Sequence, residues 1–264
     1  MNKSTKEGQR RRGIYLLPNL FTTAALFAGF YAIVAAINSH FEAAAVAVFI
    51  AMLLDGIDGR VARLTNTQTD FGAEYDSLSD MVSFGLAPAL VMYQWALSDL
   101  GKLGWLAAFI YTAGAALRLA RFNTQVGIAD KRYFQGLPSP SAAAILAGMV
   151  WSGEEVFELA GKNVEELAFA LTVLAGLLMV SNIRYHSFKG INFKERVPFV
   201  TILLTVLVIV VVSSNPPVML FGGFMIYAIS GPVLTLIYRR RRRAERKAQH
   251  QQETNSGDDH LENS

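Results

Sequence analysis

Asp55 and Asp58 stand three positions apart and Asp76 and Asp80 four apart, within Asp55-Gly-Ile-Asp58-Gly59-Arg-Val-Ala62-Arg63, eight further residues, and Gly72-Ala-Glu-Tyr-Asp76-Ser-Leu-Ser-Asp80. On helices each pair shares one face, with side chains about 5 to 6 Å apart. Two such helices laid against each other would converge all four carboxylates on one point. The surrounding sequence is apolar enough to lie in a membrane, where each aspartate at the bilayer centre costs about 2.5 to 3.5 kcal/mol. Four without compensation would therefore approach about 10 to 14 kcal/mol. Two divalent cations about 3.5 to 4 Å apart would neutralise the set, and ligation by oxygen alone suits hard ions such as Mg²⁺ or Mn²⁺. A two-metal site for phosphoryl transfer is the chemistry this spacing points to, with an ion or metal transporter as the alternative from another class.

The elements that must position these residues follow from composition. Of the 264 residues, 52% are hydrophobic, and the charges are confined to short clusters. This pattern predicts an all-α, polytopic helical membrane protein. The absence of cysteine excludes a disulfide framework, a thiolate metal site and a cysteine nucleophile. About eight transmembrane helices are expected, at 18–37, 42–64, 74–97, 104–124, 140–157, 165–183, 197–213 and 217–238. An even number of spans puts both termini on one side. The N-terminal arm, Arg60 with Arg63, the stretch Arg118 to Arg132, the stretch Arg184 to Arg196 and the run Arg239 to Arg243 share that side, whereas the opposite loops are nearly devoid of Lys and Arg. Both termini and the acidic cluster are therefore expected at the cytoplasmic face of the inner membrane. Residues 1–240 read as a single membrane domain and 241–264 as a polar, disordered cytoplasmic tail.

The intervening turn runs from Thr65 to Gly72, with Asp70 the expected helix N-cap. Gly59 and Gly72 would let a nucleotide approach the backbone, or would serve close helix packing. Arg63 is a phosphate clamp or a positive-inside anchor. Pro88 is expected to kink the third span, and Trp95, Trp105 and Trp151 to form an interfacial belt at the non-cytoplasmic side.

The pattern D-x-x-D-G-x-x-A-R-x₈-G-x-x-x-D-x-x-x-D, matched here at every fixed position, resembles the signature of the CDP-alcohol phosphotransferase family. That resemblance implies attack of an alcohol hydroxyl on the lipid-side phosphate of a CDP-linked lipid, with release of CMP. It also implies Asp55, Asp58, Asp76 and Asp80 as ligands of two divalent cations, Asp80 as the base, and Gly59, Arg63, Thr69 and Gly72 along the CDP moiety. Asn19 and Thr22 on the first helix are either CDP contacts or polar links between helices.

Four further segments resemble the membrane-embedded phosphatidylserine synthases, a branch of that family: Arg12 to Thr22, Leu117 to Asn123, Phe134 to Pro140 and Val180 to Lys189. The branch implies CDP-diacylglycerol and L-serine as substrates within membrane lipid, a homodimer, and no nucleic acid partner. Arg118 and Arg121, three apart at the cytoplasmic end of the fourth span, could hold the serine carboxylate, or simply set topology. Glycerol 3-phosphate and inositol remain alternative acceptors, because the aspartate pattern does not read the acceptor.

Overall fold

The computed structural model describes residues 3–65, 67, 69–124, 133–186 and 199–237. Among them run eight helices: α1 (Lys3–Ile37), α2 (Phe41–Thr65), α3 (Asp70–Leu100), α4 (Lys102–Thr124), α5 (Ser139–Glu155), α6 (Glu165–Val180), α7 (Phe199–Ser214) and α8 (Pro216–Ile237). The all-α polytopic membrane fold is therefore present. Four segments are by themselves long and apolar enough to cross a bilayer: Leu17–Ile37 of α1, α3, α4 and α8. The 25-residue α2 misses that standard because it carries Glu42, Asp55, Asp58, Arg60 and Arg63, and α5, α6 and α7 have only 16 or 17 residues. The tail from 241, the run Arg239 to Arg243 and the cationic residues at 131–132 and 189–196 lie outside the described residues.

Alanine lets the first two helices approach closely. Ala28, Ala32, Ala35 and Ala36 on α1 and Ala44, Ala45, Ala47 and Ala51 on α2 are all buried, the small-residue packing expected where lipid supplies no hydrophobic drive. The hairpin between them closes by a Schellman turn. His40 N–H bonds the Ala35 carbonyl (2.9 Å), Ser39 N–H bonds that of Ala36 (3.0 Å), and Ser39 takes φ +61°. Gly29 gives α3 the same access to α1, since a Cβ there would lie 2.7 Å from Ser83 Cα.

Helix α3 starts differently from the sequence expectation. Thr69, not Asp70, is the N-cap: its backbone is extended and its hydroxyl accepts the Gly72 N–H at 3.0 Å. Asp70 falls in the first turn, where its charge favours the helix dipole. Around Pro88 the helix widens into π turns over Met81–Leu86 and again over Tyr93–Leu97. The Phe84 carbonyl, four residues before Pro88, accepts a hydrogen bond from the buried Tyr111 hydroxyl on α4 at 2.9 Å. A proline removes the donor that a carbonyl four residues earlier would use, and a neighbouring helix supplies another.

Helix α5 is buried on nearly every face and forms the centre of the bundle. Trp95 is also core, 6% exposed with its indole N–H donating to Glu154 Oε1 at 2.6 Å, so it does not belong to an interfacial belt. Trp105 is exposed, and Trp151 is half-buried against the ring of Phe49.

An element not foreseen in the sequence is a short antiparallel ribbon. Strands β1 (Tyr133–Gln135) and β2 (Arg184–His186) pair with Phe134 opposite Tyr185. The Tyr185 hydroxyl is buried and donates to the Ala228 carbonyl at 3.0 Å, fastening the ribbon to α8. Burial, with the neighbouring Tyr227, pushes that phenol up to about 12, which keeps its proton on the bond.

Candidate active site

The acidic pairs lie where α2 ends at Thr65 and α3 begins at Asp70. Carboxylate oxygens of Asp55, Asp76 and Asp80, one from each residue, all lie within 4.8 Å of one another, and all three side chains are half-buried. The i, i+4 spacing of Asp76 and Asp80 sets both on the α3 face turned to α2. Asp58 lies deeper, 4% exposed, and is turned toward α1: its Oδ2 accepts a 2.8 Å hydrogen bond from the hydroxyl of buried Thr22. Three carboxylates thus meet directly, while the fourth is reached through a contact with the first helix.

Three hydroxyls not singled out from the sequence hold this arrangement. Ser79 Oγ donates to the Thr22 carbonyl and Ser83 Oγ to the Ala25 carbonyl, both at 3.1 Å, so two successive turns of α3 are clipped to α1 beside Asp80. Thr22 therefore touches α3 through its carbonyl and α2 through its hydroxyl. Ser77, next to Asp76, exchanges hydrogen bonds with the Asn123 amide of α4, with Asn123 Nδ2 to Ser77 Oγ at 3.1 Å. Serines four apart on an aspartate-bearing helix were the available signal, since such residues commonly link membrane helices.

The glycines leave room on one side. A Cβ at Gly59 would meet nothing within 4 Å, and one at Gly72 would face Thr69 Oγ1 at 3.1 Å and Asn19 Oδ1 at 3.5 Å. Asn19, Thr69 and Gly72 therefore line one wall between α1 and α3. Arg63 is exposed and bonds its own helix, Nε to the Gly59 carbonyl at 2.9 Å.

The two arginines of α4 part company. Arg118 lies within electrostatic reach of Asp80, and its Nη1 donates to Ser139 Oγ at 2.9 Å, at the start of α5. Its buried Nε has no hydrogen-bond partner among the described residues. Arg121 turns to the end of α6, with Nη1 donating to the Val180 carbonyl at 3.1 Å and to Asn182 Oδ1 at 3.2 Å. The two side chains, three apart in sequence, do not form one clamp.

A cluster of three carboxylates with only oxygen donors fits a hard divalent cation. A guanidinium with an unused buried donor beside it fits an anionic ligand. Both groups lie at one end of the bundle, beside open space at Gly59.

A family model described as CDP-alcohol phosphatidyltransferase matches residues 15–183, a span that contains the acidic cluster and both arginines. The chain is 40% identical over 191 residues to the CDP-diacylglycerol–serine O-phosphatidyltransferase of Helicobacter pylori (strain ATCC 700392 / 26695), covering 72% of this chain and 80% of that protein. It is 34% identical over 206 residues to the protein of the same name from Mycobacterium bovis, covering 76% and 70%. It is also 34% identical over 176 residues to the archaetidylserine synthase of Methanothermobacter thermautotrophicus, covering 66% and 71%.

Proposed function

The chain belongs to the CDP-alcohol phosphatidyltransferase family, and from that premise we propose that it transfers the phosphatidyl group of CDP-diacylglycerol to L-serine, giving phosphatidylserine and CMP. The observation that carries this reading is the meeting of Asp55, Asp76 and Asp80 within 4.8 Å beside Arg118. The names of the relatives supply the acceptor.

In this reading the serine hydroxyl oxygen bonds to the lipid-side phosphorus while the bond from that phosphorus to the bridging oxygen breaks, and CMP departs with the electron pair. Asp80 accepts the hydroxyl proton as the new bond forms. Asp55, Asp58, Asp76 and Asp80 would hold two divalent cations, Mg²⁺ or Mn²⁺, which would supply polarisation of the phosphoryl oxygens and stabilisation of the leaving phosphate. Thr22 fixes the carboxylate of Asp58 for that purpose. Asn19, Thr69, Gly72, Gly59 and Arg63 flank the CDP moiety on the open side of the cluster. Arg118 receives the serine carboxylate through its unused Nε and places the hydroxyl near Asp80. Arg121 supports the site by tying α4 to the end of α6.

The enzyme lies in the inner membrane. Lys and Arg flank the acidic end of the bundle, which supports an active site facing the cytoplasm, where CDP and serine arrive in water while the lipid tails stay in the bilayer. CMP release by the purified protein from CDP-diacylglycerol tests the proposal, with serine, glycerol 3-phosphate, inositol or no acceptor. Release with serine alone supports it. Release with another alcohol moves the acceptor, and no release with any of them overturns the reaction.

A further inference from the structure

Between α1 and α2 lies a groove of about 660 Å³ whose lining is carbon apart from the hydroxyls of Thr23 and Tyr31. One end is set by Leu20, Thr23 and Leu54 and the other by Tyr31 and Ala43. The first end touches the acidic site: Leu54 precedes Asp55, and Thr23 follows the Thr22 that bonds Asp58. Thr23 Oγ1 also meets Tyr75 Oη at 2.9 Å, and Tyr75 precedes Asp76. A pair of hydroxyls therefore marks the boundary between the carboxylates and the groove.

Its dimensions match a lipid chain. Tyr31 follows Leu20 by eleven positions and Leu54 follows Ala43 by eleven, which at about 1.5 Å per residue is roughly 16 Å of helix. This is about half of the roughly 30 Å hydrocarbon core, the depth of one leaflet. The small floor residues Ala28 and Ala47 are buried, while Phe27 and Ile50 at the rim are 69% and 46% exposed. The groove is thus recessed between the two helices and open along its length.

We infer that this groove seats one acyl chain of the lipid whose diphosphate occupies the acidic site, and that its far end at Tyr31 and Ala43 sets chain-length preference. The assignment rests on the proposed phosphatidyl transfer. The Thr23 and Tyr75 hydroxyls lie at the depth of the ester linkage and can donate to its carbonyl, and every methylene beyond them loses exposure against α1 and α2.

Two measurements on the full-length purified protein test this. The first compares CMP release from CDP-dioctanoylglycerol and CDP-dipalmitoylglycerol in wild type, Ala24→Trp and Val46→Trp, with Phe109→Trp, at an exposed position of α4, as the control. Both Ala24 and Val46 line the groove and are half-buried, so a larger ring enters it. The dipalmitoyl substrate should lose about tenfold or more relative to the dioctanoyl one in both variants, as expected when two or three methylenes lose their burial, while the KM for serine and the control stay unchanged. Equal loss on both lipids overturns the groove assignment.

The second measurement maps the label from CDP-diacylglycerol carrying a diazirine at its acyl terminus, and needs no turnover. Labelling within 20–31 or 43–54 supports the seat even if the wild-type protein releases no CMP, an outcome that would overturn the reaction alone. Labelling elsewhere, or a protein–protein crosslink showing that a second copy covers this face, overturns the seat.

Discussion

Thr22 on α1 donates a 2.8 Å hydrogen bond to Asp58 on α2 while its own carbonyl accepts from Ser79 on α3. One residue of the first helix thus sets the relative positions of the two helices that carry the aspartates. Thr22→Val keeps the shape and removes the hydroxyl. CMP release should fall about 10- to 100-fold, the range for losing a hydrogen bond to a metal ligand, and Thr22→Ser should restore most of it. A valine variant with the wild-type rate would show that Asp58 needs no orientation from α1.

Asp80→Asn preserves volume and removes both the proton acceptor and one negative charge from the cluster. The variant should fold and bind CDP-diacylglycerol, read as ligand protection against thermal unfolding, yet turn over at least about 100-fold more slowly, the lower bound for losing a general base. Near-normal turnover would remove Asp80 from that role.

Both the aspartate pattern and the spans were legible because each depends on local spacing. A pair at i, i+3 or i, i+4 shares a face whatever the rest of the chain does, and apolar runs bounded by charge mark spans without tertiary information. What escaped the sequence depends on contacts between distant segments. The side chains of Ser79 and Ser83 could have pointed to lipid, and only the packing of α3 on α1 turns them into clips. The same holds for Arg118 and Arg121, neighbours on one helix that diverge because α5 and α6 offer each a different partner. Trp95 looked interfacial by position along its span, but α3 is enclosed there and its indole N–H finds Glu154 inside the bundle.

Those diverging partners separate the two arginines experimentally. Arg118→Ala removes the guanidinium within electrostatic reach of Asp80 and should raise the KM for serine about 10-fold or more, the value of a hydrogen bond to a charged group, with a smaller effect on the KM for CDP-diacylglycerol. Arg121→Ala removes two bonds to 180–182 and should lower thermal stability with the serine KM changed by no more than about twofold. An equal rise in both Michaelis constants for Arg118→Ala would discard the carboxylate contact.

Stripping divalent cations with EDTA should abolish CMP release, and Mg²⁺ or Mn²⁺ should restore it. Because Asp55, Asp76 and Asp80 would then repel one another at 4.8 Å or less, the stripped protein should also melt at lower temperature, and Asp55→Asn should reduce that metal-dependent difference. Full activity in EDTA would exclude a cation at this cluster.

Tyr111 offers a test of how α3 tolerates Pro88. Its buried hydroxyl bonds the Phe84 carbonyl at 2.9 Å, and Tyr111→Phe removes only that oxygen. If the proline has left Phe84 without a helical donor, the substitution strands a buried carbonyl, and stability should fall by about 1 to 3 kcal/mol. Pro88→Ala returns a backbone N–H four residues after Phe84, so in that background Tyr111→Phe should cost at least about 0.5 kcal/mol less, a coupling readable in a double-mutant cycle of unfolding free energies. Equal costs in the two backgrounds would show that the tyrosine and the proline act independently. In that case the hydroxyl would hold α4 to α3 whether or not Phe84 has a helical donor, and a cost near zero in both backgrounds would leave only ring packing, which Tyr111→Leu would disturb and Tyr111→Phe would not.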